Sequence, residues 1–415
     1  MKIIGIIAEY NPFHNGHYYH LNKIKEEFNP DAIIIAMSGN FVQRGEPAIF
    51  DKWARTYMAL KGGADMVVEL PVIFSASTAE IFAEGAINLL GEMKIVNYLS
   101  FGVEEKKEKE LIKIAEILIN EPPLFKQELK SNLKKGLSFP SAREAALIEL
   151  LKDEFPKNDL SILLKKPNFI LGIEYCKAIL KNGYPIDILP VLRKGSSYHE
   201  LEIKPIPSAT AVRRFLKENP NIQNINENQE LKNSLPCFTL DIIKNEIELK
   251  RGPVFFENFE EIIFATLLKM SREDFNLYFD IKEGLDRRIQ KAVKRSKNIY
   301  ELIDNIKTKR YPETRIRRIL TQILLNITEK DINCRKPNYI RILGFSKKGF
   351  SLIKEIEKRS SLPIVISAKD INKLKDEQKK KIEKDILASD IYSLARPSKE
   401  QRIFGLDYFK KPIII

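Results

Sequence analysis

The chain opens on a nearly unbroken apolar run, K-I-I-G-I-I-A at residues 2–8, and a second one, A-I-I-I-A-M, follows at 32–37. Continuous Ile-rich runs of this length fit strands buried on both faces of a parallel sheet. Between them, residues 17–28 place their apolar side chains at helical spacing. The alternation continues: helical periodicity over 51–60, a short strand M-V-V-E-L at 66–70, a helix over about 78–90 and a strand N-Y-L-S-F-G at 97–102. Ser77 with Glu80 three residues later reads as a capping box for the 78–90 helix. Strand and helix in strict turn predict a doubly wound α/β fold around a parallel sheet.

From about 104 to 166 the pattern becomes charged and irregularly helical, broken at E-P-P-L-F and K-K-G-L-S-F-P-S, which predicts a helical insertion. The α/β pattern then resumes with a helix over about 168–181, a strand I-D-I-L-P-V-L at 186–192 and a short helix over 207–216. Residues 218–235 are polar and Asn-rich, the composition of a linker. Beyond them, 236–330 reads as amphipathic helices. P-N-Y-I-R-I-L-G-F at 337–345 and L-P-I-V-I-S at 362–367 then flank a helix at 347–358. The expected organisation is an α/β domain over 1–217, a linker, and a mainly helical domain over 236–415 with a small α/β element near 337–367.

A length of 415 residues exceeds what one hydrophobic core ordinarily serves, in keeping with that division,. No run approaches the roughly 18–20 apolar residues of a membrane span. The first run is very short, is ended by Glu9 and has no small-residue cleavage site, so it reads as a first strand rather than a signal peptide,. Cys176, Cys237 and Cys334 are far apart, with neither C-x-x-C nor zinc-ligand spacing, which points to the reducing cytoplasm. The formal charge of +13 is uneven: about −1 over residues 1–230 and about +14 over 231–415. A surplus confined to one half predicts nucleic-acid binding there, against the plainer reading of solvated lysine-rich helix faces.

Three of the four histidines, His14, His17 and His20, fall within I-A-E-Y-N-P-F-H-N-G-H-Y-Y-H at 7–20. Parallel sheets bind ligands at the carboxyl ends of their strands, where helix N-termini also point. H-N-G-H thus stands where backbone N–H groups and a helix dipole cradle a phosphate, and Gly16 permits close approach. Two imidazoles three residues apart can donate to one anion, which suits an α-phosphate and a departing pyrophosphate. A capped polar turn, or a zinc site lacking a third ligand, is the plainer alternative. P-S-A-T-A-V-R-R at 207–214 offers hydroxyls and N–H groups at a helix start, with an arginine one turn on, a second phosphate clamp. Arg213 shares a helix face with Thr210, and Arg214 points about 100° away.

H-x-G-H after strand one resembles the signature of the nucleotidylyltransferase superfamily, whose fold is Rossmann-like. I-P-S-A-T-A-V-R-R is similar to that superfamily's second signature, I-S-S-T-x-x-R. Ser208, Thr210 and Arg213 match it, and Ala209 departs from the second serine. Five stretches resemble the bacterial tRNA(Met) cytidine acetate ligases: I-A-E-Y-N-P-F-H-N-G-H, the 37–60 segment M-S-G-N-F-V-Q-R-G-E-P onward, G-A-D-M-V-V-E-L-P, P-N-F-I-L-G-I-E-Y and L-R-K-G-S-S-Y-H. The resemblance implies that ATP activates acetate as acetyl-adenylate. The acetyl group then passes to N4 of the wobble cytidine of elongator tRNA(Met), giving N4-acetylcytidine. It also implies an ATP site over Ile7, Ala8, Glu9, Tyr10, Asn11, Pro12, Phe13, His14, Asn15, Gly16, His17, Tyr18, Tyr19 and His20. Gly102, Asn168 and Arg193 complete that site with Ser208, Thr210 and Arg213. His14, His17 and Arg213 are the expected catalytic groups.

An attacking carboxylate needs no general base but does need cations to offset repulsion from the triphosphate. The loop S-G-N-F-V-Q-R-G-E-P and the helix after it offer Gln43, Arg44, Lys52 and Arg55, and Mg²⁺ would add neutralisation. The basic stretches at 287–300 and 308–318 suit phosphate tracking, with Arg315, Arg317 and Arg318 as tRNA contacts and Tyr300 and Tyr311 for stacking. The alternative is an adenylating ligase for a small molecule or protein, of the citrate lyase ligase type, whose mark would be a dispensable basic half.

Overall fold

The structure is a computed structural model and describes residues 1–193, 208–219, 228–282, 284–333 and 335–415. β1 (Ile3–Ala8) is the central strand, paired in parallel with β2 (Ala32–Ser38) on one side and β6 (Tyr98–Val103) on the other. β5 (Met66–Leu70) extends the sheet beyond β2, and β7 (Asp187–Leu192) extends it beyond β6, again in parallel. β3 (Phe41–Val42) and β4 (Glu46–Pro47) form a small antiparallel hairpin outside the sheet.

Both faces of β1 are buried, as its unbroken apolar run requires. Ile4 and Ile6 pack with Leu21 and Ile24 of α1 (Asn15–Phe28) and Met58 of α2 (Lys52–Lys61). Ile3 and Ile7 belong to the opposite core with Ile87 and Leu90 of α3 (Ala79–Glu92) and Ile173 of α4 (Pro167–Asn182). Each such side chain contributes about 1.5–3 kcal/mol by leaving water. α3 starts one residue later than its expected capping box. Thr78 is its N-cap, while the Ser77 hydroxyl donates back to Ile73 O at 2.7 Å. The insertion consists of four helices, Glu108–Asn120, Pro123–Lys134, Phe139–Leu151 and Lys157–Leu163. α5 (Ala209–Glu218) follows β7, and residues 194–207 between them lie outside the described residues, as do 220–227 of the expected linker.

The C-terminal segment corrects one expectation. Its strand β8 (Ile340–Phe345) does not stand in a separate α/β element but pairs antiparallel with β5. β9 (Ile364–Val365) and β10 (Ile413–Ile414) then add to β8 in parallel. An open β5 edge made of M-V-V-E-L would expose an apolar ladder, and β8, buried at every residue, covers it,. The 218–235 stretch therefore does not divide the sheet.

A second contact joins the segments. α6 (Glu313–Leu324) packs on the β3–β4 hairpin, with Thr321 Oγ1 donating to Gly45 O at 2.9 Å. Gly45 has φ +73°, and a Cβ there would come within 2.3 Å of Arg318 N, so only glycine permits this approach,.

Candidate active site

The carboxyl ends of β1, β6 and β7 open on a cavity of about 600 Å³. The start of α1, the start of α5, the hairpin and α6 enclose it. His14 is the N-cap of α1: its Nδ1 accepts Gly16 N–H at 3.0 Å, and its own N–H donates to His17 Nδ1 at 3.2 Å. The two rings stack with centroids 3.7 Å apart. With both Nδ1 atoms occupied as acceptors, each neutral ring carries its hydrogen on Nε2, the donor left for a ligand. Capping thus uses one nitrogen of each side chain and leaves the other open to the cavity.

Burial keeps these rings uncharged. It lowers the His14 pKa to about 3, helped by Arg193 and Arg213. It lowers that of His20 to about 4, helped by Arg193, and it holds His17 well below the usual range. Ser100 gives its hydroxyl hydrogen to Leu189 O at 2.8 Å, so its oxygen accepts from His20 Nε2 at 3.0 Å.

On the facing side, Ser208 caps α5 by accepting Ala211 N–H at 3.1 Å. Arg213 reaches across to Asn11 O at 2.9 Å while Thr210 Oγ1 holds its other terminal nitrogen at 3.3 Å. Arg214 points away and pairs with Glu218 at 2.7 Å. Two helix N-termini therefore face one space. Gly102 and Arg193 lie together on the β6–β7 side, where a Cβ on Gly102 would sit 3.0 Å from Arg193 Cγ. Asn168 is held there by Glu104 through a 2.7 Å hydrogen bond from Nδ2.

Ile7, Ala8, Glu9, Tyr10, Asn11, Gly16 and Tyr19 line the cavity as well, with Gln43 and Arg44 of the hairpin. Glu9 Oε1 accepts Gln43 N–H at 2.8 Å. Burial pushes the Glu9 carboxyl pKa up, against the Gln43 amide and the charges of Arg213, Arg44 and Arg55. Pro12, Phe13, Asn15 and Tyr18 of the same turn are not in the lining. Phe13 packs beneath Gly62, Asn15 Nδ2 donates to Asn233 O at 2.8 Å, and Tyr18 is exposed beside Phe238.

Two of the proposed carboxylate-binding cations also lie elsewhere. Lys52 is buried between Glu69 at 2.8 Å and Asp407 at 2.7 Å. Arg55 is buried and donates to the carbonyls of Glu9, Ser38, Gly39 and Phe50, tying the 38–50 loop to the end of β1. The three arginines assigned to tRNA separate too. Arg315 donates to Asp280 O at 2.8 Å, and Arg317 pairs with Glu313 at 2.9 Å and with Glu46 at 3.6 Å. Arg318 lines the cavity with Thr314. Sequence reasoning missed Thr314 and Glu46 in the lining, and the glycine of Q-R-G-E-P was the signal that another backbone approaches there. Among the described residues no group of three or more His, Cys, Asp or Glu side chains could hold a metal ion.

A first strand leading into two stacked histidines, faced by a second helix N-terminus with its arginine, is an arrangement that suits a phosphate chain. Residues 1–405 match the model of the HIGH Nucleotidyl Transferase family. The chain is similar to the tRNA(Met) cytidine acetate ligase of Thermoanaerobacter sp. (strain X514), 45% identical over 410 residues and 98% of each chain. It is also similar to the tRNA(Met) cytidine acetate ligase of Caldanaerobacter subterraneus subsp. tengcongensis, 44% identical over 416 residues and 100% of each. Two crystal structures of Thermotoga maritima TmcAL, apo and bound with α-thio ATP, match with TM-scores of 0.94 and 0.92. Each is 34% identical and covers 100% of both chains. The chain belongs to the HIGH nucleotidyl transferase family, in the group of the tRNA(Met) cytidine acetate ligases.

Proposed function

We propose that this protein uses ATP to convert acetate to acetyl-adenylate, then transfers the acetyl group to N4 of the wobble cytidine of elongator tRNA(Met). The observation that carries the reading is the single cavity of about 600 Å³ onto which both the H-x-G-H turn and the start of α5 open. That volume suits one nucleotide and a small co-substrate.

The adenosine end lies toward Gly102, Asn168 and Arg193. The α-phosphate lies at Gly16 and the Nε2 donors of His14 and His17, and the β- and γ-phosphates lie at the start of α5 with Arg213. Acetate oxygen attacks the α-phosphorus and pyrophosphate leaves. Uncharged preorganised donors are suited to this step, because they gain most where negative charge grows. Mg²⁺, carried on the phosphates of ATP, would add to the neutralisation that the cavity arginines supply.

For the second step the cytidine leaves its stack and enters the cavity. Its N4 bonds to the acetyl carbon, the bond from that carbon to the AMP phosphate oxygen breaks, AMP departs and the N4 proton is released to solvent. The body of the tRNA lies along the basic 231–415 segment. Arg315 and Arg317 are occupied by carboxylates and carbonyls. The exposed Arg287, Lys291, Lys294 and Arg295 on and after the helix Leu285–Val293 are therefore the better phosphate contacts,. A tRNA substrate places the enzyme in the cytoplasm. A small-molecule ligase would tolerate loss of the basic segment, yet here β8 and β10 complete the sheet.

The test is acetate-dependent ATP–pyrophosphate exchange without tRNA, followed by mass spectrometry of tRNA(Met) incubated with ATP and acetate. Exchange that requires acetate, with a gain of one acetyl group at the wobble cytidine, is expected. Exchange without any acetylated tRNA would return the reading to a small-molecule or protein acceptor.

A further inference from the structure

The cavity wall opposite the histidine turn comes from the C-terminal segment. Thr314 and Arg318, one turn apart on α6, both line it,. Arg318 Nε is buried with no hydrogen-bond partner among the described residues. A buried donor left unsatisfied loses its bonds to water with nothing in exchange. Burial pulls the pKa of this guanidinium down, and neighbouring Arg315 and Arg44 add to that against the nearby Asp280 carboxylate. An anion in the cavity would relieve both penalties.

The surroundings say which anion. The starts of α1 and α5 offer a phosphate chain two sets of helix N–H groups, whereas α6 presents one face to the cavity, with Thr314 in its first turn and Arg318 a turn further on,. That face is tied to a small apolar surface. Gln322, one turn beyond Arg318, donates to Ala76 O at 3.0 Å, and Gln43 donates to Ser77 O at 3.2 Å. These bonds bring α6 and the hairpin against the start of α3, whose Ala79 and Phe82 line the cavity. A guanidinium and a hydroxyl beside a small apolar wall complement a short carboxylic acid.

We infer that Arg318, with Thr314, binds the carboxylate of acetate and turns its methyl group toward Ala79 and Phe82. The inference rests on the acetate reading given under Proposed function. It makes α6 part of the adenylation site rather than of the tRNA surface, so the C-terminal segment is needed before any RNA arrives.

Acetate-dependent pyrophosphate exchange with purified full-length variants tests it, each first checked for native circular dichroism and thermal unfolding. Loss of a charge-assisted contact predicts that Arg318→Ala raises the KM for acetate by about 10- to 100-fold and shifts the KM for ATP far less. Arg318→Lys should fall between, keeping charge without the fork. Added guanidinium chloride at millimolar concentration should restore part of the Arg318→Ala loss. Should Arg318→Ala not fold, Arg318→Gln, which keeps much of the length, carries the same expectation. An acetate KM within about threefold of wild type overturns the assignment. A loss falling mainly on ATP, or only on tRNA affinity, overturns it equally and makes Arg318 a phosphate or an RNA contact. If wild type itself shows no acetate-dependent exchange, the acetate reading fails and this one with it. If wild type exchanges and the variants behave alike, only the subsite fails.

Discussion

Two sets of charge, one buried and one lining the cavity, each take a member from residues 38–60, and they differ in whether they close. In the first, Lys52 lies between Glu69 and Asp407, and Arg341 reaches Asp407 at 2.5 Å and Glu69 at 3.3 Å. Two cations meet two carboxylates, and Lys52 and Asp407 have side chains with 0% exposure. In the second, the cavity lining holds four arginines, Arg44, Arg193, Arg213 and Arg318, against the two carboxylates Glu9 and Glu46. The first set balances its charge within the protein and fastens β8 and the C-terminal segment to α2 and β5. The second is short of negative charge until a phosphate or carboxylate enters. Closure marks a structural role, and imbalance marks a binding site.

The largest expected effect breaks the closed set. Lys52→Met removes one cation and leaves Glu69 and Asp407 buried with Arg341 alone. Breaking a buried network in this way costs about 3–5 kcal/mol. Urea unfolding, read from the midpoint at constant slope, measures it. A loss below about 1 kcal/mol would mean that water or rearrangement reaches these carboxylates, and the contrast with the cavity would fail.

The same contrast explains what the sequence could and could not disclose. The strands β1, β2 and β5 are buried on both faces, so their apolar runs declared them directly, and β6 and the partly exposed edge strand β7 kept enough apolar positions to be read as strands,. The H-x-G-H turn and the start of α5 were legible because glycine, hydroxyls and helix starts leave local marks. Lys52 and Arg44 carried no such mark. Both are cations in one motif, and only the arrival of Asp407 from more than 280 residues away shows that Lys52 belongs to a buried network. Antiparallel pairing of β8 with β5 is likewise a long-range event, and R-I-L-G-F alone cannot say which sheet it joins. Arg315, Arg317 and Arg318 looked alike in a basic run. Helical rotation sends one to Asp280, one to Glu313 and one into the cavity.

The next effect sharpens the open set by separating the two jobs of its histidines. His14→Ala and His17→Ala should each lower acetyl-adenylate formation by about 10²- to 10³-fold, as removal of a preorganised donor does. His14→Asn keeps an acceptor for Gly16 N–H while losing the Nε2 donor, so the cap survives and the phosphate contact does not,. It should be about as slow as His14→Ala while regaining most of that variant's lost thermal stability. Single-turnover formation of acetyl-adenylate at saturating ATP reads the rate, and a melting curve reads the cap. Near-wild-type rates for His14→Asn would assign this histidine to capping alone.

The smallest effect is expected on the outer face of α5, and it fixes the rotation of that helix. Arg213 and Arg214 are adjacent in the sequence and lie about 100° apart around the axis. One touches Asn11 O and Thr210 inside the cavity, and the other pairs with Glu218 in solvent, both partners about half exposed. An exposed i,i+4 pair of this kind contributes only about 0.3–0.5 kcal/mol and weakens in salt. A double-mutant cycle with Arg214→Ala and Glu218→Ala should return a coupling of that size at low ionic strength, shrinking toward zero at about 1 M salt. Adenylation by Arg214→Ala should stay within about twofold of wild type, since surface changes away from special contacts are small. A larger kinetic loss than Arg213→Ala shows would mean that α5 turns its other face to the phosphates when nucleotide binds, and the arginine closing the clamp would then be Arg214.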